Sequence, residues 1–190
     1  MAAFRHSRPL ALIVAALVAS ALGTVEADAR LRTTEFTQYF EVSGGTPAEL
    51  QRALRRAHSG FNAETKWHAR TDYSWKPTGK QCKLTNVTIS LRFDLLLPRL
   101  KAGTKLSPDV QKRWNRFVAA IVVHENGHVK LYKSAAGELD RKLSSFSSAC
   151  SSIDREAGKI NQAGYDRMQK VNDDYDARTG GGAKQGATLD

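Results

Sequence analysis

The chain has 190 residues, of which 41% are apolar and 25% charged, and its formal net charge is +10. Only one apolar stretch approaches membrane length, which excludes a multi-span membrane protein and leaves one good-sized core or two small, closely packed subdomains. The basic residues are scattered, as in Arg52, Arg55, Arg56, Lys101, Lys112 and Lys133, with no aromatic-interleaved basic stripe. That pattern argues against nucleic acid as a partner and leaves only a loose attraction to anionic envelope surfaces.

Residues 1–29 read as a cleavable signal peptide. Arg5 and Arg8 give a positive start, Leu10 to Leu22 form an apolar run too short to span a bilayer comfortably, and Ala27-Asp28-Ala29 offers a cleavage site before Arg30. The expected location is therefore secreted or periplasmic, with no stable membrane insertion after cleavage. The leader carries as many acidic residues (Glu26, Asp28) as basic ones, so the mature chain keeps the +10 charge. Export places the only two cysteines, Cys82 and Cys150, in an oxidising compartment that favours a disulfide. Closing so long a loop contributes roughly 4 kcal/mol in the chain-entropy treatment.

The elements follow in chain order. Residues 34 to 43 read as a strand, with Phe36 and Tyr39-Phe40 before the Ser43-Gly44-Gly45 break. Thr46-Pro47-Ala48-Glu49 has the form of a capping box and opens a short helix through about His58, with Leu50, Ala53, Leu54 and Ala57 on one side. Trp67, Ala69, Thr71, Tyr73 and Trp75 then alternate with Lys66, His68, Arg70, Asp72 and Ser74. Past the turn at Pro77, Gly79 and Lys80, Val87, Ile89, Leu91, Phe93, Leu95 and Leu97 alternate in the same way. Two such runs across a short turn predict an antiparallel hairpin.

The period changes at Ser107-Pro108-Asp109, which starts a long helix with the stripe Val110, Trp114, Phe117, Ile121, Leu131, Ala135, Leu139 and Phe146. A polar break at Ser144 to Ser152 ends it. A last helix carries Ile153, Ala157, Ile160, Gly164, Met168, Val171 and Tyr175. The glycine-rich residues 179–190 read as a flexible tail. The expected organisation is a β-rich α+β part over 30–104 and a helical hairpin over 105–178, forming one compact unit.

His124-Glu125-Asn126-Gly127-His128 is a complete H-E-x-x-H in the middle of the long helix. Four residues is about one helical turn, so both imidazoles leave one face and can grip one Zn2+ ion, while Glu125 is placed to deprotonate a zinc-bound water. Both histidines occupy places on the apolar stripe where leucine would otherwise sit, and burying them without a partner is costly. A catalytic zinc usually takes three protein ligands. Folding the two long helices back on each other about Cys150 brings Asp173, Asp174 and Asp176 beside the motif, and Asp176, which follows core-facing Tyr175, is favoured as third ligand. His68 could approach from the strand, and Tyr132, Tyr165 and Tyr175 are near enough to assist an oxyanion, although each reads more simply as a surface or core residue.

Several of these features together carry a resemblance. Tyr39-Phe40-Glu41-Val42-Ser43-Gly44, Trp67, Trp75, Cys82, Leu97-Pro98, Trp114, the H-E-x-G-H turn, Tyr175-Asp176-x-x-Thr179 and Gln185-Gly186-Ala187 resemble the bacterial domain-of-unknown-function family 922, described as predicted secreted zinc-dependent proteases. The resemblance implies a zincin-like site. It also implies a histidine where this chain has Gly181. The fold class expected is α+β: a small antiparallel sheet with one short helix, packed on a long antiparallel helical hairpin carrying the motif. The function expected is a secreted or periplasmic zinc metallopeptidase acting on a peptide or protein substrate. The alternative is a catalytically inactive metal-binding or peptide-binding cell-envelope protein.

Overall fold

A computed structural model describes residues 30–57 and 62–189. The leader expected over residues 1–29 lies outside them. Among the described residues no helix is long and apolar enough to cross a membrane. The elements are β1 (Arg30–Val42), α1 (Pro47–Ala57), β2 (Glu64–Thr78), β3 (Gln81–Leu100), α2 (Pro108–Ser144), β4 (Ser147–Ser148) and α3 (Ile153–Thr179), followed by one 3-10 turn at Ala183–Gln185. The fold is α+β.

Local chemistry explains where these elements start. The capping box closes as written: Oγ1 of Thr46 accepts from the Glu49 amide at 3.3 Å, and Oε2 of Glu49 accepts from the amides of Thr46 (3.1 Å) and Gly45 (2.7 Å). Ser107 caps α2 by accepting from the Val110 amide at 3.4 Å, with Pro108 at the first helical position. Gly79 (φ 61°) begins the two-residue turn that joins β2 to β3, which pair antiparallel from Thr78 opposite Gln81 to Glu64 opposite Leu96.

The sheet is mixed rather than wholly antiparallel. Its order is β1-β3-β2, and β1 runs parallel to β3, from Arg30 opposite Thr88 to Val42 opposite Leu100. The chain leaves β1 through α1 and enters β2 on the far side of β3, so the hairpin returns β3 in the direction of β1. Side-chain alternation has the same period in either direction and carries no record of this.

One face of β3 lies under the helices. Cys82, Leu84, Ile89, Leu91 and Phe93 pack against Val129, Tyr132, Ala136, Leu139 and Leu143 of α2 and Ile153, Ala157 and Met168 of α3. Because α2 is covered by both β3 and α3, its buried face is wider than a single stripe, and Tyr132 rather than Leu131 is fully inside. A second cluster joins Leu50 and Leu54 of α1 to Trp114, Phe117 and Ile121 of α2.

The α2–α3 connection is tied to the sheet. Ser147 and Ser148 pair with Lys83 and Cys82, which sets Cys150 against Cys82, and the two form the disulfide with Cα atoms 4.8 Å apart. From there α3 runs back along α2. An ideal Cβ at Gly164 would lie 2.6 Å from a methyl of Leu139, so only glycine lets the helices approach this closely.

The last residues do not form the flexible tail the composition suggests. Gly180, Gly181 and Gly182 have φ of 60°, 57° and 82°, three successive left-handed conformations that turn the chain onto α2. Ala187 and Leu189, each 4% exposed, then join the cluster around Trp114 and Phe117. The glycines supply a shape here, and two apolar residues fasten it.

Candidate metal centre

His124 and His128 lie one turn apart in the middle of α2, both buried, with Glu125 buried between them. Their Nε2 atoms are 3.2 Å apart, and Oδ1 of Asp176, from the last turn of α3, lies 3.1 Å from each. The hairpin therefore brings the Asp176 carboxylate beside both imidazoles.

The far side of each ring is held by a carboxamide. Nδ1 of His124 lies 2.9 Å from Oε1 of Gln185, and Nδ1 of His128 lies 2.7 Å from Oδ1 of Asn172. Asn172 is oriented by its own amide group, which donates to the Met168 carbonyl at 2.8 Å, and Gln185 by donation to the Tyr175 hydroxyl at 3.0 Å. A carbonyl oxygen cannot donate, so each Nδ1 carries the proton and each Nε2 presents a lone pair. Three acceptor atoms thus converge, which is repulsive unless a metal ion or a proton sits between them.

The spacing fits one. A tetrahedral zinc with bonds of about 2.0–2.1 Å separates its ligand atoms by roughly 3.3 Å. The three separations found here are within a few tenths of an ångström of that. His124, His128 and Asp176 are the one such group among the described residues, and they could hold a metal ion. Two imidazoles and a carboxylate are a donor set that suits zinc, among other divalent metals.

Glu125 is set beside this group. Its Oε2 accepts from Oγ1 of Thr65 on β2 at 2.6 Å. Burial pushes its carboxyl above the usual carboxylate range, and the Asp176 charge adds to the rise. The Thr65 hydroxyl and the two imidazoles oppose it. A raised carboxyl is a stronger base than an ordinary carboxylate, as a proton-accepting group requires. All four residues line one cleft of about 360 Å³, between β2 and the two long helices.

The glycine of the motif also has a reason. The Tyr175 ring lies over Gly127 and stacks on His124 with centroids 5.0 Å apart and planes at 13°. A Cβ at Gly127 would stand 2.5 Å from Cζ of Tyr175, so a larger residue drives the ring off the histidine.

Other candidates fall elsewhere. Asp173 lines the cleft and accepts from Gln169 at 2.7 Å, whereas Asp174 pairs with Lys170 at 2.9 Å. His68 meets Asp94 at 3.3 Å, away from the site. Tyr132 lines the cleft but is committed to a stack on Trp67, centroids 4.9 Å apart, and Tyr165 bonds Thr71 at 3.0 Å. Gly181, where the resemblance implied histidine, does line the cleft, and a Cβ there would meet nothing within 4 Å.

Three contributors were not anticipated in these roles. Asn172 lies four residues before Asp176, on the same helix face, and that spacing was a usable signal. Gln185 stood in the Gln-Gly-Ala run but in a segment read as flexible. Thr65 is 60 residues from Glu125, and only the fold joins them.

The sequence profile of one family, described as "Bacterial protein of unknown function (DUF922)", matches residues 37–182. The chain belongs to this family. The matched span runs from β1 through α3 to Gly182, so it contains His124, Glu125, His128 and Asp176. The family's description assigns no activity, and the chemistry rests on the site itself. No curated protein and no solved structure matches the chain.

Proposed function

We propose that the protein is a zinc-dependent metallopeptidase working in an oxidising compartment outside the cytoplasm. The single observation that carries this reading is the pairing of two functions in one cleft. A cation-demanding group (His124, His128, Asp176) sits beside a buried carboxylate, Glu125, that is not one of the ligands. The disulfide supports the compartment.

A divalent ion bound here would supply Lewis-acid polarisation of a carbonyl and acidify a water. The chain's own residues do the rest. Asn172 and Gln185 keep the imidazoles aimed. Thr65 holds Glu125 in place while leaving its other oxygen for a water in the cleft. Glu125 accepts one proton as that water's oxygen bonds the peptide carbonyl carbon. It returns the proton to the nitrogen as the C–N bond breaks, giving a carboxylic acid and an amine.

The alternative is a metal-binding protein without activity. Zinc content tests both readings, and one variant separates them. The purified protein should contain about one equivalent of zinc, and Glu125→Gln should keep the metal while lowering turnover of a peptide library by at least roughly 100-fold. Turnover unchanged in Glu125→Gln sinks the enzymatic reading. A metal-free, fully folded protein sinks both.

A further inference from the structure

The carboxylates around the cleft exceed what a metal centre needs. Glu125 and Asp176 together balance the two charges of a divalent ion. Glu64 and Asp173 also line the cleft, and no lysine or arginine among the described residues does. This occurs in a chain whose overall charge is +10, so the cleft is negative where the rest of the molecule is positive. Lys66 meets Glu64 at 3.4 Å, but its side chain is 64% exposed and such a surface pair offsets little.

We propose that this cleft selects cationic peptide segments, those with lysine or arginine near the bond to be broken, through Glu64 on one wall and Asp173 on the other. This rests on the peptidase reading. The two carboxylates do not define the site, which exists already in the buried histidine pair and Glu125. They line the same cleft from β2 and from α3. At long range the +10 molecule favours acidic chains, so a preference for basic ones arises only at the cleft's mouth, which gives local selectivity rather than general stickiness. Glu64 also has a further interaction within the protein.

The test uses zinc-loaded full-length protein carrying Glu125→Gln, and three alanine-rich peptides that differ only in having Lys, Gln or Glu at the same positions. Fluorescence anisotropy should show the Lys peptide binding roughly tenfold or more tighter than the Glu peptide, with the gap narrowing as salt rises. Adding Glu64→Gln and Asp173→Asn, singly and together, should shrink the preference stepwise without loss of zinc. Equal binding of the three peptides, no binding of the Lys peptide, or a preference that survives both substitutions overturns the proposal. Tight binding of the Lys peptide that the protein with Glu125 intact never cleaves would uphold this selectivity and reject the peptidase reading instead.

Discussion

Asn172 places its carbonyl oxygen 2.7 Å from Nδ1 of His128 while its amide group is spent on the Met168 carbonyl. One side chain thus fixes which imidazole nitrogen faces the metal position, and does so from inside the helix interface, where it is 3% exposed. Asn172→Leu keeps the volume and removes the acceptor. Metal affinity should fall by about 10- to 100-fold, as for other partners that orient a ligating histidine. Competition titration with a chelator checks it, and unchanged affinity would show that His128 needs no such support.

The tail gives a second, less obvious expectation. Leu189 touches no metal ligand, yet it anchors the segment that carries Gln185 to His124. Leu189→Ala should cost about 2–3 kcal/mol where the tail docks and weaken metal binding together with Gln185→Ala. The two effects should be less than additive in the double variant, since both act through one contact. Additive losses would mean that the tail stabilises the fold and nothing more.

Glu125 makes a pH-dependent expectation for the metal-free protein. Burial raises its carboxyl, so the folded state holds this proton more tightly than the unfolded chain does. The ionised group therefore destabilises the fold above its raised value, and that cost vanishes below the ordinary carboxylate range. Glu125→Gln keeps an oxygen for Thr65 and should raise the melting temperature of the apoprotein at neutral pH, with the gain fading as pH falls to the acid side. A gain that does not change with pH would remove ionisation as its cause.

The disulfide should separate cleanly from the site. It closes the loop at the turn between the long helices, whereas His128 lies sixteen residues before the end of α2, about 24 Å along the axis. Replacing both Cys82 and Cys150 by alanine should cost about 4 kcal/mol and lower the melting temperature by roughly 8–16 °C at 2–4 °C per kcal/mol. Metal affinity should stay within about twofold, a change too small to matter against the 10- to 100-fold loss expected when a partner of His128 is removed. Metal loss in this variant would tie the bridge to the site after all.

Much of this architecture could be read from residues alone because it is local. The capping box at Thr46 and Glu49, the Ser107 cap, the hairpin turn at Gly79 and the H-E-x-x-H spacing each depend on atoms within one turn of chain. Asp176 was within reach for a related reason: two helices joined by a short turn must return in register, which brings the end of α3 to the middle of α2. The direction of β1, the docking of residues 180–189 and the roles of Thr65 and Gln185 were out of reach. Each is settled by which distant surfaces bury together, and alternation, glycine content and hydroxyl side chains look the same before that choice is made. The sequence by itself determined a pair of imidazoles facing one way. Only the tertiary structure supplied the carboxylate, the two carboxamides and the cleft that turn them into a group able to hold a metal ion, because a converging set of acceptors exists only once three separate segments have been packed around it.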